Sequence, residues 1–232
     1  MKWITQAIAV SVLLNWTAIG GGASELLLNR SPNTSNIAQG LRSDQYYEAP
    51  GSPLQQMADR FSLANSAMIT AVSWWGFYFP AGSLTTPQQI QFHIRMFTDQ
   101  PGTIAIAPSA SPSYETTLFA NVSPFITVQG YQTYTFSAQL LDPFAAKMQT
   151  GYWLSVVESD VSTDGAFDWF NSGPQRWPIG WASRARDIDP WTVFSNTEQM
   201  SFSFSGSVVP EPAVLALLAL GAVIILFRWQ RK

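Results

Sequence analysis

The sequence predicts a mainly β protein: an antiparallel β-sandwich, jelly-roll-like, flanked by an N-terminal signal peptide and a C-terminal transmembrane helix. Three observations carry this. Apolar and polar residues alternate with period two in several short runs. Gly, Pro, Asn and Asp interrupt those runs at short intervals, as in all-β folds. Both ends, unlike the middle, hold unbroken apolar stretches.

Taken in order, residues 1–24 open with one basic residue, Lys2, then an apolar stretch centred on Ala7 to Leu14, then small residues from Gly20 to Ser24. That is the order of a secretory signal peptide, and cleavage after Ala23 or Ser24 would leave small residues at both −1 and −3. Residues 25–57, rich in Asn, Ser, Gly and Pro, read as an extended lead-in with a short first strand at Glu25 to Leu28. A sandwich domain is expected over 58–207. Phe61 to Phe79 is dense in aromatic and β-branched residues and stops at Pro80. Ile90 to Phe97 alternates, with Ile90, Phe92, Ile94 and Met96 on one face and Gln91, His93 and Arg95 on the other. A turn follows at Asp99 to Gly102. Leu118 to Val128, Gln132 to Leu141 and Gly151 to Ser159 are further strands, and Met200, Phe202 and Phe204 alternate with serines in the last. Ser52 to Asp59 and Pro143 to Gln149 each suggest a turn or two of helix. No internal repeat occurs, which argues against a propeller or solenoid.

Composition narrows the function. The chain of 232 residues has 12 basic and 15 acidic residues, and the part between the two end segments has 8 and 14, a net charge of −6. An acidic body does not suit nucleic acid, whose phosphates select for Lys and Arg. The absence of cysteine excludes disulfides, thiolate catalysis and thiolate metal sites. The 15 Phe, 10 Trp and 7 Tyr must then supply the packing that holds the domain. Trp74 and Trp75 are neighbours in a strand, so one should enter the core and the other face outward or lie under a loop.

Residues 208–232 contain the corner Pro210-Glu211-Pro212, the uncharged stretch Ala213 to Phe227 and a basic tip of Arg228, Arg231 and Lys232. At about 1.5 Å per residue the uncharged stretch covers roughly 22 Å as a helix, a short membrane span. Basic residues beyond it are expected on the cytoplasmic side, with the body outside. Pro-Glu-Pro, apolar helix and basic tip, in that order, resemble the PEP-CTERM sorting signal of exported bacterial proteins. The resemblance implies recognition and cutting by a membrane-embedded exosortase, passage of the body to the cell surface or matrix, and association with exopolysaccharide. The middle is similar to a recurrent domain of PEP-CTERM proteins over roughly residues 58–206. The carriers are Trp74-Trp75-Gly76, Phe92 to Arg95 with Asp99, Tyr152-Trp153-Leu154, and the Trp-rich segment Trp169 to Trp181. That domain implies a sandwich without an assigned activity.

Few residues invite catalysis. His93 is the lone histidine, and no GxSxG accompanies it. Glu158, Asp160, Asp164 and Asp168, or Asp187 and Asp189, are the carboxylates from which a glycosidase pair would be drawn, but their neighbours are turn residues. Asp160, Asp164 and Asp168 are the best group for a calcium ion, without EF-hand spacing. Trp169, Trp177, Trp181 and Trp191 lie among polar and turn residues and are the candidates for stacking on sugar rings. The expectation is an exported, non-enzymatic binding or structural module associated with exopolysaccharide, processed by an exosortase, with no cofactor. The rivals are an exported glycan hydrolase and an uncleaved single-pass membrane protein.

Overall fold

Clean alternation in the sequence becomes strand, because a half-buried strand puts successive side chains on opposite faces. The structure, a computed structural model, describes residues 24–35, 40–44, 55–79, 90–100, 106–159, 165–174, 180–194 and 198–210. Both end segments, residues 1–23 and 211–232, lie outside these, as do the signal-peptide and membrane-helix expectations placed on them. No helix among the described residues is long and apolar enough to cross a membrane.

The elements are β1 (Glu25–Arg30), β2 (Leu41–Arg42), β3 (Gln56–Phe61), β4 (Ala67–Phe79), β5 (Ile90–Thr98), β6 (Tyr114–Val128), β7 (Tyr131–Ala146), β8 (Tyr152–Glu158), β9 (Ala166–Trp169), β10 (Asn171–Pro174), β11 (Trp181–Arg184), β12 (Thr192–Val193), β13 (Glu198–Met200) and β14 (Phe202–Val208). The described part is therefore all-β and antiparallel, as expected. One sheet runs β1-β14-β4-β7-β6-β5-β8-β3-β11-β12, with β9 on β4 and β2 on β9. A small β10-β13 ribbon lies apart from it.

The long sheet curls into two facing layers at β6. Its first half, Tyr114 to Ala120, pairs with β5, and its second half, Asn121 to Val128, pairs with β7. The β6-β7 hairpin closes through Gln129 and Gly130, both at positive φ, the backbone a tight two-residue turn demands. The layers meet through rings. Trp74 of β4 lies 5.0 Å from Phe92 of β5, Phe92 lies 5.3 Å from Phe136 of β7, and Phe61 of β3 lies 4.7 Å from Phe204 of β14. Edge-to-face pairs of this kind contribute about 0.5–1.5 kcal/mol each beyond the area they bury. A buried ion pair also crosses the core: Arg30 of β1 meets Asp59 of β3 at 3.0 Å, and the Met200 N–H donates to the same carboxylate.

Two readings change. The stretch 25–57 is not only a lead-in: β1 pairs along β14, β2 pairs with β9, and β3 begins at Gln56 inside the second layer. The helical turns expected near 52–59 and 143–149 are not formed where described: β3 pairs with both β8 and β11, the end of β7 pairs with β4 through Ala146, and a bridge at Met148 and a turn at Gln149 follow. Trp74 is fully buried, and Trp75 packs outside the main core against Phe77, Val128 and Phe170, as the alternation requires.

Candidate functional site

The outward face of the second layer holds a group of polar side chains that the fold fixes in place. Register aligns them in rows. Arg184 pairs with Gln56 across β11 and β3, and Val157, His93 and Thr117 form a row across β8, β5 and β6. Ala182, Ala58, Ser155, Arg95 and Glu115 form the next, and Gln91 with Phe119 lies in the row beyond His93. Polar positions at period two on β5 and β6 build this face, while Ile90, Phe92 and Ile94 fill the core from the other side.

Arg95 is its electrostatic centre. It is buried, yet bonds Glu115 Oε1 at 2.6 Å, Asp187 Oδ1 at 2.9 Å and Gln56 Oε1 at 3.3 Å. Arg184 reaches the same Gln56 oxygen at 2.9 Å and Asp187 Oδ1 at 2.8 Å. Burial pulls the Arg184 guanidinium below its usual range, and Asp187 pulls it back up. Trp191 covers this pair, with the Arg184 guanidinium 4.4 Å from its ring and Phe97 packed edge-on at 5.3 Å. His93 shares a 2.7 Å hydrogen bond with Thr117, and its pKa is lowered first by burial and next by the Arg95 charge. Neutral imidazole therefore prevails at pH 7. Phe119 leaves 56 % of its surface exposed beside Gln91, His93 and Thr117. A flat face with one exposed ring among fixed donors and acceptors can stack on a pyranose and hold its hydroxyls.

The residues singled out from the sequence are scattered. Trp169 is fully buried and donates its indole N–H to Ser201 O at 2.9 Å. Trp181 stacks on Phe194 at 3.8 Å and is 8 % exposed. Trp191 belongs to the outer face just described, and Trp177 lies outside the described residues. Of the described tryptophans, Trp169 and Trp181 fill the core and Trp191 packs on the outer face. Of the calcium candidates, Asp160 and Asp164 lie outside the described residues. Asp168 sits 3.6 Å from Arg42, and burial pushes its carboxyl up to about 6 against the Arg42 charge, with Asp44 adding to the rise. Among the described residues no group of three or more His, Asp or Glu is arranged to hold a metal. Glu158 is buried and accepts from the Tyr78 hydroxyl at 3.2 Å. Asp187 is spent on the two arginines and Asp189 lies 3.7 Å from Arg186. Of the sorting residues, Pro210 is described and exposed; Glu211, Pro212, Arg228, Arg231 and Lys232 are not described.

Sequence reasoning missed Phe119 and Glu115. Leu118 and Phe119 are adjacent apolar residues, so the sequence does not say which faces inward; the outward parity of Glu115 and Thr117 was the available signal.

Residues 208–232 match the PEP-CTERM protein-sorting motif, which directs an exported protein to exosortase processing through a membrane-associated intermediate. No curated protein and no solved structure matches the chain. Residues 29–213, the sandwich from within β1 onward, match the domain of unknown function DUF7901, and the chain belongs to that family.

Proposed function

We propose that this exosortase-targeted protein is a non-enzymatic surface or matrix module that binds extracellular polysaccharide through the outward face of β5 and β6. The observation that carries the reading is the exposed Phe119 ring set in a row of fixed polar groups, Gln91, His93, Thr117 and Glu115. Preorganisation matters, since side chains already held by hydrogen bonds lose little entropy when a ligand arrives. Glu115 and Asp187 are held by the same Arg95, which fixes two acidic side chains as hydrogen-bond acceptors on this face.

The test is retention of the purified protein on exopolysaccharide from its own cells. Phe119→Ala should weaken retention about tenfold, the loss expected for one stacking ring, with the thermal midpoint unchanged because the ring is exposed. Equal retention of the two proteins would remove this face from consideration. Shortening of the polysaccharide during incubation would make the protein a hydrolase.

A further inference from the structure

The point where the sorting tail leaves the sandwich has a distinctive surroundings. β14 ends at Val208, whose N–H donates to Glu25 Oε1, and the Val209 N–H donates to Ser66 O. The Met148 N–H donates to Ser66 Oγ, and Met148 bridges to Leu63. Four segments therefore meet at one end of the molecule: the start of β1, the β3-β4 turn, the β7-β8 turn and the exit of β14. Their exposed surface mixes apolar side chains with Glu25, Asn65, Lys147 and Gln149. Leu26 is 62 % exposed, Val208 42 % and Met148 38 %. A groove of about 220 Å³ runs between them, lined by Leu26, Leu27, Leu63 and Val208 with the alanines 64 and 67, and by Glu25 and Asn65 at its polar side. Glu25 and Lys147 are the charged residues in 24–27, 62–66, 147–150 and 207–210.

Chain length says what covers this end. From Val208 to Ala213, where the uncharged stretch begins, there are only Val209, Pro210, Glu211 and Pro212 between. Five extended steps reach roughly 17 Å at most, so the exit of β14 stays within that distance of the start of the membrane stretch. We infer that this rim lies on the lipid surface while the tail is uncut, with Leu26, Met148 and Val208 in the headgroup layer and Lys147 against lipid phosphates. Apolar side chains beside a basic residue suit that interface. A second exposed apolar group, Phe79 with Phe125 and Ile126 near the β6-β7 turn, is at the opposite end of β4, whose 13 residues span about 43 Å. The same bilayer cannot touch both.

The absence of cysteine permits a direct test. The uncut chain carries single substitutions Leu26→Cys, Met148→Cys or Thr127→Cys, each labelled with an environment-sensitive fluorophore. It is reconstituted in vesicles of phosphatidylethanolamine and phosphatidylglycerol. Labels at 26 and 148 should shift to the blue and lose about half their emission to brominated lipid, the response of a probe at headgroup depth. The label at 127, in the far hairpin, should do neither. Equal responses at the three positions, or none at 26 and 148, would overturn the inference, as would an uncut chain that fails to float with the vesicles.

Discussion

Arg30 and Asp59 show what one buried pair does in a core otherwise built of rings. Asp59 is fully buried, and burial pushes its carboxyl up to about 6 even though the Arg30 charge and the Met200 and Arg60 N–H groups pull it down. The folded state therefore holds a proton on Asp59 more tightly than the unfolded chain, whose Asp titrates near 4. Ionised Asp59 costs stability above pH 6, and that cost fades as pH falls from about 6 toward 4. Asp168 shifts in the same direction. The urea midpoint should thus rise between pH 7 and pH 5, and the profile should flatten in Asp59→Asn. Removing the other partner is worse. Arg30→Met would strand the carboxylate among Phe202 and Met200 and should cost about 3–5 kcal/mol at pH 7 in urea unfolding. A loss within the range of a surface substitution would mean the pair is not what joins the layers. The same residue explains a misreading. Inward positions on β3 are Met57, Asp59 and Phe61, while Ala58 faces outward. A charge inside and an alanine outside erase the alternation, so the stretch looked helical.

Elements were legible where one face was uniformly apolar. β5, the middle of β7 and β14 follow their alternation, because each buries a single row against the opposite layer. The end of β7 did not read so: in Phe144-Ala145-Ala146 alanine stands on both faces, and helix propensity gave way to pairing with Ala67 and Met68. The site was less legible than the fold, since Arg95, Gln56 and the Arg184–Asp187 stretch come from three separate segments that only the fold brings together. The Trp74-Trp75-Gly76 run has one physical reason per residue. Trp74 fills the core and Trp75 the outer cluster, while Gly76 lets β9 approach: a Cβ there would meet the Phe167 ring and lie 2.8 Å from the Asp168 carbonyl oxygen. Gly76→Val should push β9 from β4 and cost about 1–3 kcal/mol, with exchange protection lost first at Phe167 and Trp169. Unchanged protection there would deny that the close approach matters. Beyond Ala120 the edge of β6 away from β7 has no strand partner among the described residues and carries Pro124 at a register shift, an arrangement that resists pairing with a second sheet.

At the scale of the molecule, β14 is the keystone. It lies between β1 and β4, and β1 has no other sheet neighbour among the described residues. A chain ending before Phe202 should fail to fold, leaving β1 and β4 with bare edges; near-native circular dichroism and cooperative melting of that truncation would contradict this. The pairing of Glu25 with Gly206 joins opposite ends of the sandwich sequence, so nearly the whole domain must be present before that contact closes. Such non-local closure is slow. It sets a schedule for biogenesis. The earliest strand to emerge from a translocation pore waits, unpartnered, for the final one, and the sheet cannot lock until that last strand has cleared the pore. The domain is thus kept threadable throughout its passage by its own strand order, and it matures at the moment its sorting tail arrives at the membrane.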